Sequence, residues 1–164
     1  MITLSDAEWA TAAIASMEAE FLVSLMSPTS MIATPPAIAP KNHLKLAMDD
    51  ITGAIDGYTA PNSQHVEQLL EFGSRLDDGS EVVVHCVMGM SRSPAAVMIL
   101  LAQRNPGQEA AIADAFFHEA PQIRPNRLLL EIGDKLLGCG GDLVSAGYID
   151  IPFSSIQQPS YLGS

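Results

Sequence analysis

Charge is scarce in this chain of 164 residues, and what there is lies on the acidic side. Only 16% of the residues are charged, with 8 Lys and Arg against 19 Asp and Glu, which gives a formal net charge of −11. A surface of that sign repels phosphate backbones and anionic lipid headgroups. We therefore expect neither a nucleic acid nor a membrane as a partner.

Cysteine and histidine are also few, with two Cys and four His. Cys86 and Cys139 stand far apart, belong to no C-x-x-C pair, and share no metal-ligand spacing with the histidines. We expect no disulfide, no metal and no cofactor. The first basic residue is Lys41, and no apolar run reaches the roughly 18 residues of a membrane-spanning helix. These features predict a cytoplasmic protein without a secretory signal.

Apolar residues, by contrast, make up 48% of the chain, enough for a hydrophobic core without disulfide or metal staples. Apolar or alternating runs predict strands at 21–26, 43–47 and 81–86. Longer runs predict helices at 5–17, 63–76, 94–104, 108–119 and 127–138. The three valines 82–84 are typical of a central parallel strand buried on both faces. We predict a three-layer α/β domain with a central, mostly parallel sheet over residues 1–146. The tail 147–164 would pack on it or fray.

Two connections carry further local signals. Ser5-Asp6-Ala7-Glu8 has the form of a capping box, which predicts that the first helix begins at Ser5. The segment 27–40 holds four prolines and no regular period, and 48–61 carries acids, glycines and a proline, so both are predicted to be loops.

The segment His85–Ser93, HCVMGMSRS, joins the valine strand to an apolar helix. Free N–H groups at a helix start bind anions, and Gly89 allows the loop to turn its amides inward. Arg92 adds a fork suited to two phosphate oxygens. Such a positive environment favours the thiolate of Cys86. The segment therefore predicts a nucleophilic cysteine in an anion-binding loop.

These residues resemble a known family. Cys86–Ser93 has the C-x5-R-[S/T] form of the protein tyrosine phosphatases, and His85 before it and Pro94 behind it resemble the dual-specificity branch. PNRLLLEIGDKLL (125–137) looks like that family's closing helix, and HLKLAMDD (43–50) looks like its strand before the general-acid loop. The resemblance spans about residues 20–137 in element order, strongly only in the loop, and a bacterial member is the closest kind. It implies the cysteine-based phosphatase fold.

The resemblance also implies roles. Cys86 would attack phosphorus and form a phosphocysteine, and Ser93 would help the sulfur to leave. His85 would orient the loop and keep the thiolate ionised. The phosphate oxygens would be held by the Arg92 guanidinium and by the amides of Val87, Met88, Gly89, Met90, Ser91 and Arg92.

The general acid would be an aspartate about 30–40 residues before the cysteine. Asp49, Asp50 and Asp56 qualify, and the distance from the strand 43–47 favours Asp50. Repulsion between the adjacent Asp49 and Asp50 is expected to raise the pKa of one of them, which suits an acid. The pair could also be only a solvated turn.

Two other functions remain open at this stage. Gly89–Ser93 nearly matches the G-x-S-x-G nucleophile elbow, with Ser91 followed by Asp114 and His118 in the order of a serine hydrolase. A non-catalytic module that binds phosphorylated partners through an intact loop is the third reading. Cys139 would be incidental or would resolve an oxidised Cys86.

The expected substrate is a phosphorylated protein or peptide, or a small phosphate ester, with phosphotyrosine first. The loop has no lysine to hold the further phosphates of a phosphoinositide, while Met88 and Met90 suit an aromatic ring or a neutral peptide. Asn126, at the start of the last helix, is expected to brace a loop. His43, His65 and His118 are expected to pack or to lie on the surface.

Overall fold

A computed structural model of the chain describes residues 1–148. The strands are β1 (Ile2–Ser5), β2 (Phe21–Met26), β3 (His43–Ala47) and β4 (Val82–His85). The helices are α1 (Ala10–Met17), α2 (Ser63–Ser74), α3 (Arg92–Arg104), α4 (Glu109–Glu119), α5 (Arg127–Leu137) and α6 (Asp142–Gly147). Short 3₁₀ turns at Pro28–Ser30 and Pro40–Asn42 lie in the loop after β2. The predicted tail lies outside the described residues from 149 onward.

The four strands form one sheet in the order β1-β4-β2-β3, and each pairing is parallel. All four residues of β4 are buried, as the valine run predicted. The predicted α/β architecture with a parallel sheet flanked by helices is therefore confirmed. Within residues 1–148, no helix combines the length and the apolar character needed to cross a bilayer.

Helices cover both faces of the sheet. On one face, Ile14 of α1 packs in a small core with Leu22 and Val83. On the other face lies the larger core, in which the α3 residues 95–100 are all buried. The buried apolar surface of α3 supplies much of the free energy that fixes its first turn behind β4.

The start of the chain differs from the prediction. Residues 2–5 form β1, which pairs with Val82–His85, and the predicted capping box at Ser5 is wrong. Helix α1 begins only at Ala10, after the Trp9 amide donates to Asp6 Oδ1 over 2.8 Å. Ser5 could not cap a helix because pairing with β4 holds it in a strand.

The end of the domain also differs, because residues 142–147 form α6 where no helix was predicted. The buried Asp134 carboxylate accepts hydrogen bonds from the amides of Gly141 and Leu143 at the start of this helix, over 2.8 and 2.9 Å. The side chain that caps α6 therefore belongs to α5, seven residues before Gly141 and nine before Leu143. A local capping pattern in the sequence could not predict it. Gly147, predicted to open the tail, closes α6.

Strand direction decides where a ligand can bind. Because all pairings are parallel, the carboxyl ends of β1, β3 and β4 share one edge of the sheet. Ligands of open α/β sheets bind beyond this edge. The segments that follow these strands begin at Asp6, Met48 and Cys86, and they form the walls of the candidate site.

Candidate active site

The loop from Cys86 to Ser91 curls back after β4 and leads into α3, so that Arg92 and Ser93 open the helix. Gly89 has a φ of +67°, a conformation that side chains rarely adopt. A Cβ there would lie 3.0 Å from the carbonyl oxygen of Ser5, against which the loop packs. The curl therefore depends on glycine twice, for its backbone angle and for its contact with the end of β1.

Backbone hydrogen bonds hold this loop from both sides. The Ala7 amide donates to the Val87 carbonyl over 3.1 Å. On the other side, the amides of Arg124 and Asn126 donate to the carbonyls of Met90 and Ser91 over 2.8 and 3.0 Å. The carbonyls of Val87, Met90 and Ser91 are thus occupied by neighbouring segments and do not compete for an anion inside the loop.

Cys86 lies at the bottom of the loop and is 2% exposed. Burial by itself raises the pKa of its thiol. The hydroxyl of Ser93 lies 3.1 Å from Sγ and lowers this pKa, and the amides of Ser93, Ser91 and Gly89 lower it further. The donors outweigh burial, and the thiol pKa falls below its ordinary value. The arrangement favours a buried thiolate.

Arg92 is 4% exposed and is anchored at one end of its guanidinium. Its Nη1 donates to the Met48 carbonyl over 2.8 Å. Its Nε is buried and has no hydrogen-bond partner within residues 1–148. An unpartnered buried donor is costly, so this one is well placed for an anion bound in the loop.

Asp50 is exposed and lies at the loop. Its Oδ1 accepts hydrogen bonds from the Ser91 hydroxyl over 2.7 Å and from Asn126 Nδ2 over 2.9 Å. The same Nδ2 donates to the Ile51 carbonyl over 3.2 Å, so Asn126 braces the acidic loop as the sequence indicated. The contacts bring Asp50 to the segment that holds Cys86.

The other two acids are not held in this way. Asp49 Oδ2 accepts the Thr59 amide over 2.7 Å. The pKa of Asp49 is lowered, first by the Ser27 hydroxyl and then by the Thr59 amide, so Asp49 is not the member of the pair whose pKa rises. Asp56 is exposed and makes no hydrogen bond to segment 85–93 in the described part of the chain.

His85 is fully buried on the sheet. Its Nε2 lies 2.7 Å from the Ser24 hydroxyl, which also lies 2.8 Å from Nε2 of His43. Burial is the main cause that lowers the pKa of both rings, that of His43 to about 4. Both imidazoles are therefore neutral at physiological pH. From the sequence, His43 was expected only to pack or to lie on the surface, and Ser24 carried no signal of a role.

Two sequence hypotheses find little support in the geometry. The Ser91 hydroxyl donates to Asp50, whereas Asp114 and His118 are exposed on α4 with no hydrogen bond to it among residues 1–148. Cys139 is half-buried, and burial, followed by its hydrogen bond to Glu109, raises its pKa to about 11. Such a thiol is poorly ionised and poorly suited to resolve an oxidised Cys86.

A cavity of about 560 Å³ adjoins the loop on the side of the acidic segment. Its walls include Asp50, Ser91, Asn126, Phe117 and Tyr148, but neither Cys86 nor Arg92. Among residues 1–148, no group of three or more His, Cys, Asp or Glu side chains is placed to hold a metal ion.

No family model and no curated relative matches the chain. Its structure is similar to DUSP15, with a TM-score of 0.63 and 17% identity over 88% of this chain and 85% of that one. It is also similar to PTPMT1 in complex with PI(5)P, with a TM-score of 0.60 and 15% identity over 84% of this chain and 90% of that one. A third similar structure is the Yvh1 phosphatase domain from Chaetomium thermophilum, with a TM-score of 0.58 and 20% identity over 87% of this chain and 93% of that one. The chain therefore has the fold of the dual-specificity and protein tyrosine phosphatases, which confirms the fold that the sequence resemblance implied.

The contact between Ser93 and Cys86 predicts how the thiol titrates. Because the Ser93 hydroxyl lowers the thiol pKa, Ser93→Ala should raise it, and alkylation by iodoacetamide at about pH 6 should slow about three- to tenfold. Ser93→Thr keeps a hydroxyl and should stay close to the wild type. An unchanged pH profile in Ser93→Ala would show that the amides alone set the thiol pKa.

Proposed function

We propose that this chain is a cysteine-dependent phosphomonoester hydrolase, a protein tyrosine or dual-specificity phosphatase that acts through a phosphocysteine in the cytoplasm. The observation that carries the proposal is a buried thiol at the start of a helix with the Ser93 hydroxyl 3.1 Å from its Sγ, and the donors around it lower the pKa of the thiol. A structural core cysteine has no need of such donors, whereas a nucleophile needs to be ionised.

In the first step, the Cys86 thiolate attacks phosphorus, and an S–P bond forms as the P–O bond to the substrate breaks. The amides of Val87 to Arg92 and the free Nε of Arg92 hold the non-bridging oxygens. Asp50 gives its proton to the leaving oxygen, which departs as an alcohol or phenol. Positioning and charge stabilisation of this kind account for most catalysis of phosphoryl transfer.

In the second step, water attacks the phosphocysteine. Asp50, now a carboxylate, takes a proton from that water, and the S–P bond breaks to release inorganic phosphate and the Cys86 thiolate. The Ser93 hydroxyl, 3.1 Å from Sγ, stabilises the departing sulfur. His85 acts from the other side of the sheet by holding the end of β4, and no proton passes from it to the substrate.

The apolar side chains around the loop indicate which substrate the site would prefer. Val87 and Met88 are 46% and 71% exposed, and Ile55 and Tyr58 are exposed on the acidic loop. An apolar rim around a phosphate site suits the ring of phosphotyrosine. The structural neighbour PTPMT1 was solved with PI(5)P, a phospholipid. A net charge of −11 opposes binding to an anionic bilayer, so we place phosphotyrosine first.

Turnover of p-nitrophenyl phosphate is the direct test of the enzyme. The wild type should hydrolyse it, and Cys86→Ser should lose all measurable activity while it still binds inorganic phosphate, because the amides and Arg92 remain. Cys139→Ser is the matched control and should keep the wild-type rate. A wild type that binds phosphotyrosine peptides without turnover would instead establish a non-catalytic binding module.

Asp50→Asn tests the general acid. We expect kcat on a phosphotyrosine peptide to fall about 10²-fold or more, as is typical when a general acid is lost. The loss should be smaller on aryl phosphates whose leaving groups need little protonation. Asp56→Asn is the control in the same loop. If Asp50→Asn is silent and Asp56→Asn is not, the acid is Asp56.

A matched panel of soluble phosphopeptides and short-chain phosphoinositides measures substrate choice. We expect a higher kcat/KM for phosphotyrosine than for phosphoserine, phosphothreonine and phosphoinositide, because the exposed rim is apolar. Met88→Lys adds a cation at the rim and should therefore bring kcat/KM for the phosphoinositides closer to that for phosphotyrosine. Equal kcat/KM on every substrate would mean that the rim contributes no recognition.

A further inference from the structure

A chain of hydrogen-bonding side chains crosses one face of the sheet and ends beside Cys86. Nδ1 of His43 lies 2.9 Å from the hydroxyl of Thr34, in the loop after β2. Nε2 of His43 lies 2.8 Å from Ser24 Oγ, and Ser24 Oγ lies 2.7 Å from Nε2 of His85. Ser24 and His85 are fully buried, and His43 is 9% exposed.

Strand register explains why these groups meet. Ser24 of β2 lies opposite His85 of β4, and Leu22 lies opposite His43 of β3. Because side chains alternate between the two faces of a strand, Leu22 and Ser24 point the same way and bring both histidines with them. Ser24 is 19 residues from His43 and 61 residues from His85 in the sequence, yet the three side chains meet on the α1 face of the sheet.

Counting hydrogens fixes the relation between the two rings. A serine hydroxyl carries one proton, so between two ring nitrogens it donates to one and accepts from the other. Both rings are neutral and carry one N–H each. One ring must therefore be protonated on Nε2 and the other on Nδ1, and the state of His43 determines that of His85.

The environment of His85 indicates which group donates and which accepts along this series of hydrogen bonds. Nδ1 of His85 is buried and has no hydrogen-bond partner within the geometric limits among the described residues. The backbone of Cys86 nevertheless raises the pKa of the ring, as a hydrogen-bond acceptor does. This favours His85 Nδ1–H directed at the Cys86 backbone, with Ser24 donating to His85 and His43 donating to Ser24. Thr34 then donates to His43 Nδ1.

We propose that Thr34, His43 and Ser24 form a hydrogen-bonded relay that fixes the tautomer and orientation of His85 and so positions the Cys86 loop. Ser24 and His43 are positioning residues in this scheme, since neither reaches the substrate. The relay deepens the proposed phosphatase function. It also ties the proline-rich loop 27–40 to the nucleophile through Thr34.

The test is the reactivity of Cys86, which needs no phosphate ester. Ser24→Ala removes the bridge and leaves both histidines in place. We expect alkylation of Cys86 by iodoacetamide at about pH 6 to slow about three- to tenfold, the factor that one lost hydrogen bond carries. The pKa of Cys139 is about 11, so Cys139 adds little to the signal at this pH. Ser80→Ala, which removes another buried serine hydroxyl just before β4, should alkylate as the wild type does.

Two histidine variants keep the test decisive if Ser24→Ala fails to fold. His43→Gln retains a side-chain N–H that can donate to Ser24, whereas His43→Leu does not. The glutamine variant should alkylate faster than the leucine variant at about pH 6. Equal rates in the two variants, or a wild-type pH profile in a folded Ser24→Ala, would overturn the relay.

A nitrogen-15 NMR spectrum of the imidazole groups gives an independent readout. We expect His43 protonated on Nε2 and His85 on Nδ1, and the His85 signal should change in Ser24→Ala. The same tautomer in both rings would contradict the relay, since one hydroxyl could not bridge them. A chain that shows the alkylation and tautomer effects but hydrolyses no phosphate ester would refute the proposed function and retain the relay.

Discussion

The candidate site depends on one conflict, which is that the nucleophilic sulfur is buried. A thiol that is 2% exposed loses the water that would stabilise its ionised form. Hydrogen-bond donors aimed at Sγ can reverse this, and the Ser93 hydroxyl and the amides of the loop are such donors. A bound phosphate group needs the same inward amides. One backbone conformation therefore serves both the resting thiolate and the anion it would attack.

That conformation is held by segments remote in sequence. The loop packs through Gly89 on the end of β1, and its carbonyls are taken by backbone amides of residues 7, 124 and 126. The Asn126 side chain also holds Asp50, so a single residue sets the loop and the acid relative to each other. Each wall of the site is therefore a part of the fold itself.

The sequence predicted what is local and missed what arises from pairing. The loop 85–93 could be read because a strand, a glycine, an arginine and a helix start are adjacent in the chain. Strand β1 could not be predicted in this way, because residues 2–5 form a strand only through their pairing with β4. The relay residues were missed for the same reason, as Ser24 and His43 meet only through strand register. The hydrogen bond that lowers the Asp49 pKa was beyond a local pattern as well, because the Ser27 hydroxyl reaches that carboxylate from another loop.

The alternation of side chains along β4 joins the two halves of the site. His85 points to the α1 face, as does Val83, which belongs to the small core there. Cys86, the next residue, belongs to the larger core on the α3 face. Consecutive residues thus lie on opposite sides of the sheet, His85 in the buried polar chain and Cys86 at the bottom of the anion-binding loop. In the relay that we propose, the orientation of the His85 ring would reach Cys86 through one peptide unit. The relay would therefore act on the nucleophile from the opposite face of the sheet.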